Sequence, residues 1–391
     1  MDFDNLGLAL RSLVIFRGLR EDEVIKKLIE LLRSGGDDTA AGVERYAALA
    51  EAIFSEGGSL TQCVMERVLE NENVYVIKRA LGEDVAKLEQ CLRHELELLQ
   101  RISGIRSADI KKHIAYEGYL PEWETFEADF VSAYMNRMQS LGTKGYGIFS
   151  KHHMFCVKSG QIMPVAWPDP IAISDLKGYE KQRQAVTDNT LALIDGKPAA
   201  NALLFGDAGT GKSSTVKALV NEYHEMGLRL VEIRKNQFAD IPRVIEALSR
   251  NTLKFILFID DLSFAKENDD FYALKAVLEG SASAKAPNIA IYATSNRRHL
   301  IKETFSDRQG DDIHRDETIQ EMISLSARFG LVVGFLRPDK KLYLRIVREL
   351  ADEAGVAMSA EELETQAERF ASSGRSPRTA RQFIEQLKVK R

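Results

Sequence analysis

The first 145 residues carry apolar positions at the three- and four-residue spacing of helices. Two stripes share this spacing: Val24, Leu28, Leu31 and Leu32, and Leu88, Leu92, Leu96 and Leu99. A further helix is predicted over 124–141, with one apolar side formed by Phe126, Phe130, Tyr134 and Met138. These stripes favour a helix-bundle core, and a groove for a partner is the alternative.

The pattern changes between residues 146 and 172. Apolar positions at 155, 157, 162 and 165 flank Ser159-Gly160, a turn signal, so a β-hairpin is predicted. Pro164, Pro168 and Pro170 then follow within seven positions, in a chain with nine prolines. This cluster predicts a domain boundary.

From residue 173, short apolar runs alternate with amphipathic segments. Strands are predicted at 202–205, 228–233, 255–259, 289–294 and 331–335, and helices at 180–195, 213–226, 241–249 and 268–278. Such alternation predicts a parallel sheet with helices on both faces. The last segment, 338–391, is predicted to form three helices without a strand.

The first strand of this region runs into a glycine-rich loop that matches the Walker A pattern. The loop and the residue after it are Gly206, Asp207, Ala208, Gly209, Thr210, Gly211, Lys212, Ser213 and Ser214. Glycines let backbone N–H groups converge on phosphates, and the following helix presents its positive end to the same anion. Lys212 would add a cation and Ser213 a hydroxyl ligand for Mg²⁺. A plain glycine-rich turn is the alternative, which the flanking strand and helix disfavour.

Two later strands also end in polar side chains. The strand at 255–259 leads to Asp260 and Asp261, a Walker B pattern in which Asp260 would hold Mg²⁺. Asp261 would orient or deprotonate an attacking water. The strand at 289–294 leads to Asn296, for which the local sequence alone favours a cap or turn role.

The order of these motifs resembles that of the AAA+ ATPases over residues 171–391. The resemblance implies a "sensor 1" role for Asn296, which would help Asp261 to position the water. It also implies that the stretch Leu176-Lys177-Gly178-Tyr179 lies against the adenine, with Gly178 and Tyr179 as the candidate site residues.

The same resemblance also suggests roles for several arginines. Arg328 is the candidate for a finger that acts on the nucleotide of a neighbouring subunit, and Arg378 lies in the "sensor 2" box of a helical lid. Arg308 and Arg315 are rival finger candidates in a charged insert, for which a solvated loop is the simpler interpretation.

Asp261 departs from the commonest AAA+ pattern, which has glutamate there. Aspartate at this place is similar to the replication-initiator and helicase-loader branch and to domain-of-unknown-function family 815. That family also resembles this chain around 178–180, 189–190 and 206–214. The likeness implies an ATPase and supplies no substrate. The shorter acid is compatible with slow turnover, and the sequence leaves the rate open.

The sequence thus predicts an α/β P-loop fold of AAA+ type with a helical N-terminal domain and a helical lid. The predicted limits are 1–145 for the N-terminal domain, 146–172 for the hairpin and linker, 173–336 for the α/β domain and 337–391 for the lid. The expected activity is hydrolysis of ATP with Mg²⁺ that drives conformational change in an oligomeric ring, with six subunits as one option. The alternative is a nucleotide-gated loader or adaptor with little basal hydrolysis, acting on protein or DNA.

Composition narrows the partners and the compartment. The net charge of −5 does not indicate nucleic acid, although a local basic patch is compatible with it. The three cysteines form no C-x-x-C pair, and neither a signal-like start nor a long apolar run occurs. We therefore expect a cytoplasmic chain without membrane contact, whose N-terminal domain binds an unknown protein. A GTPase is disfavoured because no Asn-Lys-x-Asp motif appears.

Overall fold

The computed structural model describes residues 3–33, 39–262, 269–279, 286–296 and 327–389. The chain divides into two units, Met1–Lys151 with Arg250–Thr252, and His152–Ser249 with Leu253–Arg391. This division keeps the predicted hairpin, α/β region and lid in one unit.

The first unit is helical. Its α-helices are α1 (Phe3–Arg11), α2 (Glu23–Leu32), α3 (Thr39–Phe54), α4 (Leu60–Glu70), α5 (Val74–Ala80), α6 (Ala86–Ser103), α7 (Ser107–Lys111), α8 (Phe130–Gln139), α9 (Leu141–Lys144) and α10 (Ile148–Lys151). A 3-10 helix, Arg17–Glu21, precedes α2. The predicted stripes on α2 and α6 contribute to one buried core, in which Leu28, Leu92 and Leu96 are fully buried.

The helix predicted over 124–141 is wrong at its start. Helix α8 begins at Phe130, and the Asp129 carboxylate accepts the N–H of Ser132 at 2.9 Å. This carboxylate cap sets the first turn. Phe126 therefore precedes the helix and is 45% exposed, whereas Phe130 and Tyr134 are buried.

The second unit contains a seven-stranded sheet. Its strands are β1 (Met154–Lys158), β2 (Gln161–Pro164), β3 (Ala202–Gly206), β4 (Leu228–Glu232), β5 (Lys254–Ile259), β6 (Ile289–Ser295) and β7 (Leu331–Phe335). Their order is β2-β1-β4-β5-β6-β3-β7, with β1 and β2 antiparallel and the other pairs parallel. The predicted hairpin is confirmed. It extends the sheet, because Met154 pairs with Leu230 of β4.

Helices cover the sheet and form the lid. Their bounds are α11 (Glu180–Ile194), α12 (Lys212–Tyr223), α13 (Ile241–Ser249), α14 (Asp269–Glu279), α15 (Lys340–Glu353), α16 (Ala360–Phe370) and α17 (Pro377–Val389). Short 3-10 helices lie at Ile173–Asp175, His224–Met226, Lys235–Asp240 and Ala371–Ser373. Strands β3 and β6 are buried along their whole length, as expected of a sheet covered on both faces. Helices α15, α16 and α17 have a core of their own.

The strand order decides which polar residues meet. Strand β6 lies between β3 and β5, with Phe205 opposite Ser295 and Ile259 opposite Ala293. Because parallel strands end at the same edge, the residues after β3, β5 and β6 come together there.

Candidate functional site

The glycine-rich loop joins β3 to the start of α12. Gly206 has a φ of +136°, and a Cβ there would overlap the carbonyl oxygen of Phe335. Only glycine accommodates both the backbone conformation and this close approach. Helix α12 begins at Lys212, so its free N–H groups face the loop.

Lys212 is the cation of the loop. Its ammonium donates to the carbonyl oxygens of Gly206 and Asp207, both at 2.8 Å, and to Asn296 Oδ1 at 3.1 Å. The residue is 6% exposed. Burial lowers the pKa of Lys212, and the nearby carboxylates of Asp207, Asp260 and Asp261 partly oppose this shift.

Two hydroxyl groups converge on Asp260. Ser213 Oγ donates to Asp260 Oδ1 at 2.6 Å, and Thr294 Oγ1 donates to the same oxygen at 2.5 Å. A carboxylate beside a hydroxyl is an oxygen donor set of the kind that Mg²⁺ takes, with water and phosphate completing its shell. The residues present therefore fit a Mg²⁺ ion. Across the described ranges, no cluster of three or more His, Cys, Asp or Glu side chains forms another metal site.

Asp261 follows in an uncommon backbone conformation, with a φ of +53°. Its N–H donates to Thr294 Oγ1 at 2.9 Å and to Asp260 Oδ1 at 3.1 Å. Asn296 Nδ2 donates to Asp261 Oδ1 at 2.8 Å, and Lys235 Nζ lies 3.7 Å from Asp261 Oδ2. The strand-end amide is thus hydrogen-bonded to the acid that the sequence predicts to act on water.

Two adjoining cavities surround these groups. A cavity of about 230 Å³ is lined by Ala208, Lys212 and Ser213 of the loop together with Asp260, Asp261 and Asn296. A larger cavity of about 440 Å³ is lined by other loop residues, Thr210 and Ser214 among them, and by apolar side chains of Ile171, Leu176 and Ile346. Gly209, Gly211, Ser214 and Arg378 line both cavities. The smaller cavity is polar and fits phosphates, and the larger has the partly apolar walls that suit a nucleoside.

Gly178 and Tyr179 form the turn before α11, with φ values of +71° and +59°. The Tyr179 hydroxyl donates to the carbonyl oxygen of Leu336 at 2.6 Å, and burial raises the pKa of this phenol to about 12. Within the part of the chain that the structure describes, Leu176 and Lys177 line the larger cavity, whereas Gly178 and Tyr179 do not. The direct contact of this turn with adenine stays a prediction.

The arginine candidates lie in different places. Arg378 is the second residue of α17, and its N–H donates to the carbonyl oxygen of Gly209 at 3.1 Å. Arg328 precedes β7 at the opposite end of the sheet and, among the described residues, belongs to the lining of neither cavity. Arg308 and Arg315 lie outside the described residues.

Three residues of the site were missed by sequence reasoning. Thr294 lies two positions before Asn296, and Lys235 comes from the 3-10 helix after β4. Arg183, on α11, lines the larger cavity and donates to the Gly178 carbonyl, and burial lowers its pKa. The strand end at 294–296 was a usable signal for Thr294. No sequence motif marks the other two.

A phosphate loop on β3, an acidic pair after β5, an amide after the strand between them and a helical lid define an AAA+ P-loop ATPase fold. The family model described as "Protein of unknown function (DUF815)" matches residues 150–391. The chain belongs to this family. The resemblance inferred from the sequence is thereby confirmed.

More distant likenesses are of two kinds. The replication factor C large subunit of Staphylothermus marinus is 30% identical over 117 residues, which are 28% of this chain and 27% of that protein. The structure titled Thermotoga maritima RuvB Holliday junction branch migration motor has a TM-score of 0.38 and 15% identity, over 56% of this chain and 65% of that one. A mutant of RuvB gives a TM-score of 0.39 at 15% identity, over the same shares. The match thus spans about a quarter of the replication factor C subunit and just under two thirds of the RuvB chains.

None of the helices in the described ranges has the length and apolar character needed to cross a membrane.

Proposed function

We propose that the protein binds and hydrolyses ATP with Mg²⁺. The observation that carries the proposal is a single polar cavity that contains the loop lysine, the Ser213–Asp260 pair and the Asp261–Asn296 pair. This cavity therefore contains side chains suited to phosphate binding, to metal binding and to the activation of water.

Each group has a part in this scheme. Lys212 and the loop N–H groups bind phosphate oxygens, and Ser213 and Asp260 hold the metal ion. When bound, Mg²⁺ neutralises part of the phosphate charge. Asp261 accepts a proton from, or orients, the attacking water, and the hydrogen bond from Asn296 fixes the direction of its carboxylate.

Substitution of Lys212 tests binding. Lys212→Ala removes a charge-assisted contact worth about 2–3 kcal/mol, so ATP affinity should fall roughly a hundredfold. Titration calorimetry with ATP and Mg²⁺ measures this directly. Lys217→Ala is the control, because Lys217 belongs to the same helix but lines neither cavity among the described residues. Wild-type affinity in Lys212→Ala would contradict the proposal.

We further propose that the active form is a ring in which Arg328 acts on the nucleotide of a neighbour. Its position at the far end of β7 supports this, because the side chain is remote from its own phosphate cavity. An arginine finger contributes about 10³-fold or more in rate in well-studied cases.

Mixing two inactive variants tests the ring. Lys212→Ala subunits keep Arg328, and Arg328→Ala subunits keep the ATP site, so intact half-sites form where unlike subunits meet. The mixture should regain part of the turnover and lose it on dilution. If both variants co-assemble and no turnover returns, Arg328 is not the finger, and Arg308 and Arg315 are the next candidates.

The second candidate function is a nucleotide-gated switch that grips a protein or DNA partner. It is favoured by one observation: the Asp261 carboxylate already lies 3.7 Å from the Lys235 ammonium, within ion-pair distance. An acid held in this way is less available to water. Tight ATP binding with turnover near zero, in steady-state and single-turnover assays, would support the switch. Robust basal turnover would support the hydrolase.

A further inference from the structure

Asp207, the second residue of the phosphate loop, has a contact that its motif does not require. Its carboxylate Oδ2 accepts the backbone N–H of Arg337 at 2.8 Å, across 130 positions of sequence. Arg337 lies between the end of β7 at Phe335 and the first lid helix, which begins at Lys340. The side chain therefore holds the peptide at which the sheet passes into the lid.

Other contacts join the same regions. The Tyr179 hydroxyl donates to the carbonyl oxygen of Leu336, next to the peptide that Asp207 holds. A Cβ on Gly209 would lie 3.1 Å from the Cβ of Arg378 and from Ser376 Oγ. The loop is thus packed against both the hinge, residues 336–337, and the first turn of α17.

The main chain of Asp207 links this hinge to the lysine. Its carbonyl oxygen accepts from Lys212 Nζ at 2.8 Å, while its carboxylate holds Arg337. Phosphate oxygens compete for the same ammonium, because they are anionic acceptors. A phosphate that binds this ammonium would act on Asp207 through its carbonyl, and the carboxylate of the same residue would carry a shift to the hinge.

The charge of Asp207 has an effect that is separate from its hydrogen bond to the hinge. Burial lowers the pKa of Lys212, and the Asp207 carboxylate is close enough to oppose this shift. A negative charge at this place opposes the binding of phosphates. A neutral acceptor would preserve the hinge bond without that repulsion, so the two effects of the side chain can be separated.

We propose that Asp207 is a positioning residue that couples occupation of the phosphate cavity to the hinge of the lid. The proposal rests on the proposed function for the identity of the ligand. The hinge bond itself does not, because it joins two groups of the chain itself.

Hydrogen exchange of the full-length protein without nucleotide is the first test. Asp207→Ala removes the acceptor, so exchange at the Arg337 amide should rise about tenfold, as expected for loss of one bond to a charged acceptor. Asp207→Asn keeps an acceptor oxygen and should retain the protection. Asp339→Ala is the matched control, because that aspartate accepts the N–H of Leu342 at 2.7 Å within the lid. Exchange at Arg337 as slow in Asp207→Ala as in the wild type overturns the proposal.

Titration with ATP and Mg²⁺ is the second test. Asp207→Asn should bind ATP at least as tightly as the wild type, because the repulsive charge is gone and the hinge bond stays. Asp207→Ala should bind ATP more weakly, and ATP should no longer alter exchange at the hinge. If Asp207→Asn binds more weakly than the wild type, the proposal is overturned, even where Asp207→Ala does not fold. If the wild type binds no ATP, the proposed function fails, and the nucleotide-free comparison still decides the hinge bond.

Discussion

Substitutions of Asp261 can separate its effect on stability, through its backbone conformation, from its effect on turnover, through its carboxylate. Its φ of +53° is left-handed, a conformation that costs most side chains about 1–2 kcal/mol and that aspartate and asparagine tolerate better. Two acceptors, Thr294 Oγ1 and Asp260 Oδ1, hold its N–H in this conformation. Glutamate, the commoner AAA+ residue, lacks this tolerance, so the shorter acid suits the backbone here.

The structure gives the sizes of the expected effects. The Asp261 carboxylate is exposed and has two neighbours, Asn296 at 2.8 Å and Lys235 at 3.7 Å. Exposed contacts of this kind contribute at most about 1 kcal/mol. Asp261→Asn should therefore lower the free energy of unfolding by less than about 1 kcal/mol, and Asp261→Ala by about 1–2 kcal/mol more.

Turnover should not follow the order of the stabilities of these variants. Asp261→Asn and Asp261→Ala both lack a base, so each should lose at least roughly a hundredfold in turnover. Urea unfolding measures stability, phosphate release measures turnover, and calorimetry checks that ATP binding survives. Asp261→Gly is the control for strain, since glycine adopts the left-handed conformation freely. Unchanged turnover in Asp261→Asn would refute the assignment of the base, and equal stability of the Asn and Ala variants would refute the strain argument.

Three further outcomes are expected. Burial lowers the pKa of Lys212, so its ammonium loses a proton at a lower pH in the folded protein than in the unfolded chain. The free energy of unfolding should therefore increase as the pH rises from the lowered pKa to 10.5, the value for an unperturbed lysine. Urea titrations against Lys212→Met measure that gain, and a pH-independent difference would contradict it. Gly206→Ala should destabilise the protein by about 2 kcal/mol more than Gly211→Ala, because only the first Cβ meets other atoms; equal urea midpoints would contradict this. Thr294→Val should lower turnover about tenfold through loss of its hydroxyl, and Thr294→Ser should restore it; a fully active valine variant would rule out that role.

The phosphate loop and the two strand-end motifs could be predicted because their chemistry is local. Each is a short pattern that directly follows an apolar strand. Their meeting point follows from sheet geometry, once the strands are parallel and β6 lies between β3 and β5. The predicted residues Lys212, Asp260, Asp261 and Asn296 line one cavity for this reason.

Contacts between segments distant in sequence could not be predicted. Lys235 reaches Asp261 from the end of β4, and Asp207 reaches Arg337 across the sheet edge. Both are ordinary charged residues in the sequence, and only the fold selects their partners. The start of α8 was predicted wrongly for a local reason. Phe126 lies four residues before Phe130 and so fits the helical spacing, but the helix begins only after the Asp129 cap.

Arg328 differs from the other predicted residues in where the sheet places it. Strand β7 pairs with β3 from Leu331 opposite Ala202 to Phe335 opposite Gly206. These four steps separate the amino end of β7 from the phosphate loop by roughly 13 Å. Arg328 precedes that amino end, so its side chain would have to span the strand to reach its own phosphate cavity. The proposed action of Arg328 on a nucleotide therefore requires an interface between molecules. If dilution to monomers leaves turnover unchanged, Arg328 has no part in hydrolysis. If turnover falls with dilution in the wild type while the small residual turnover of Arg328→Ala does not, the arginine links assembly to chemistry.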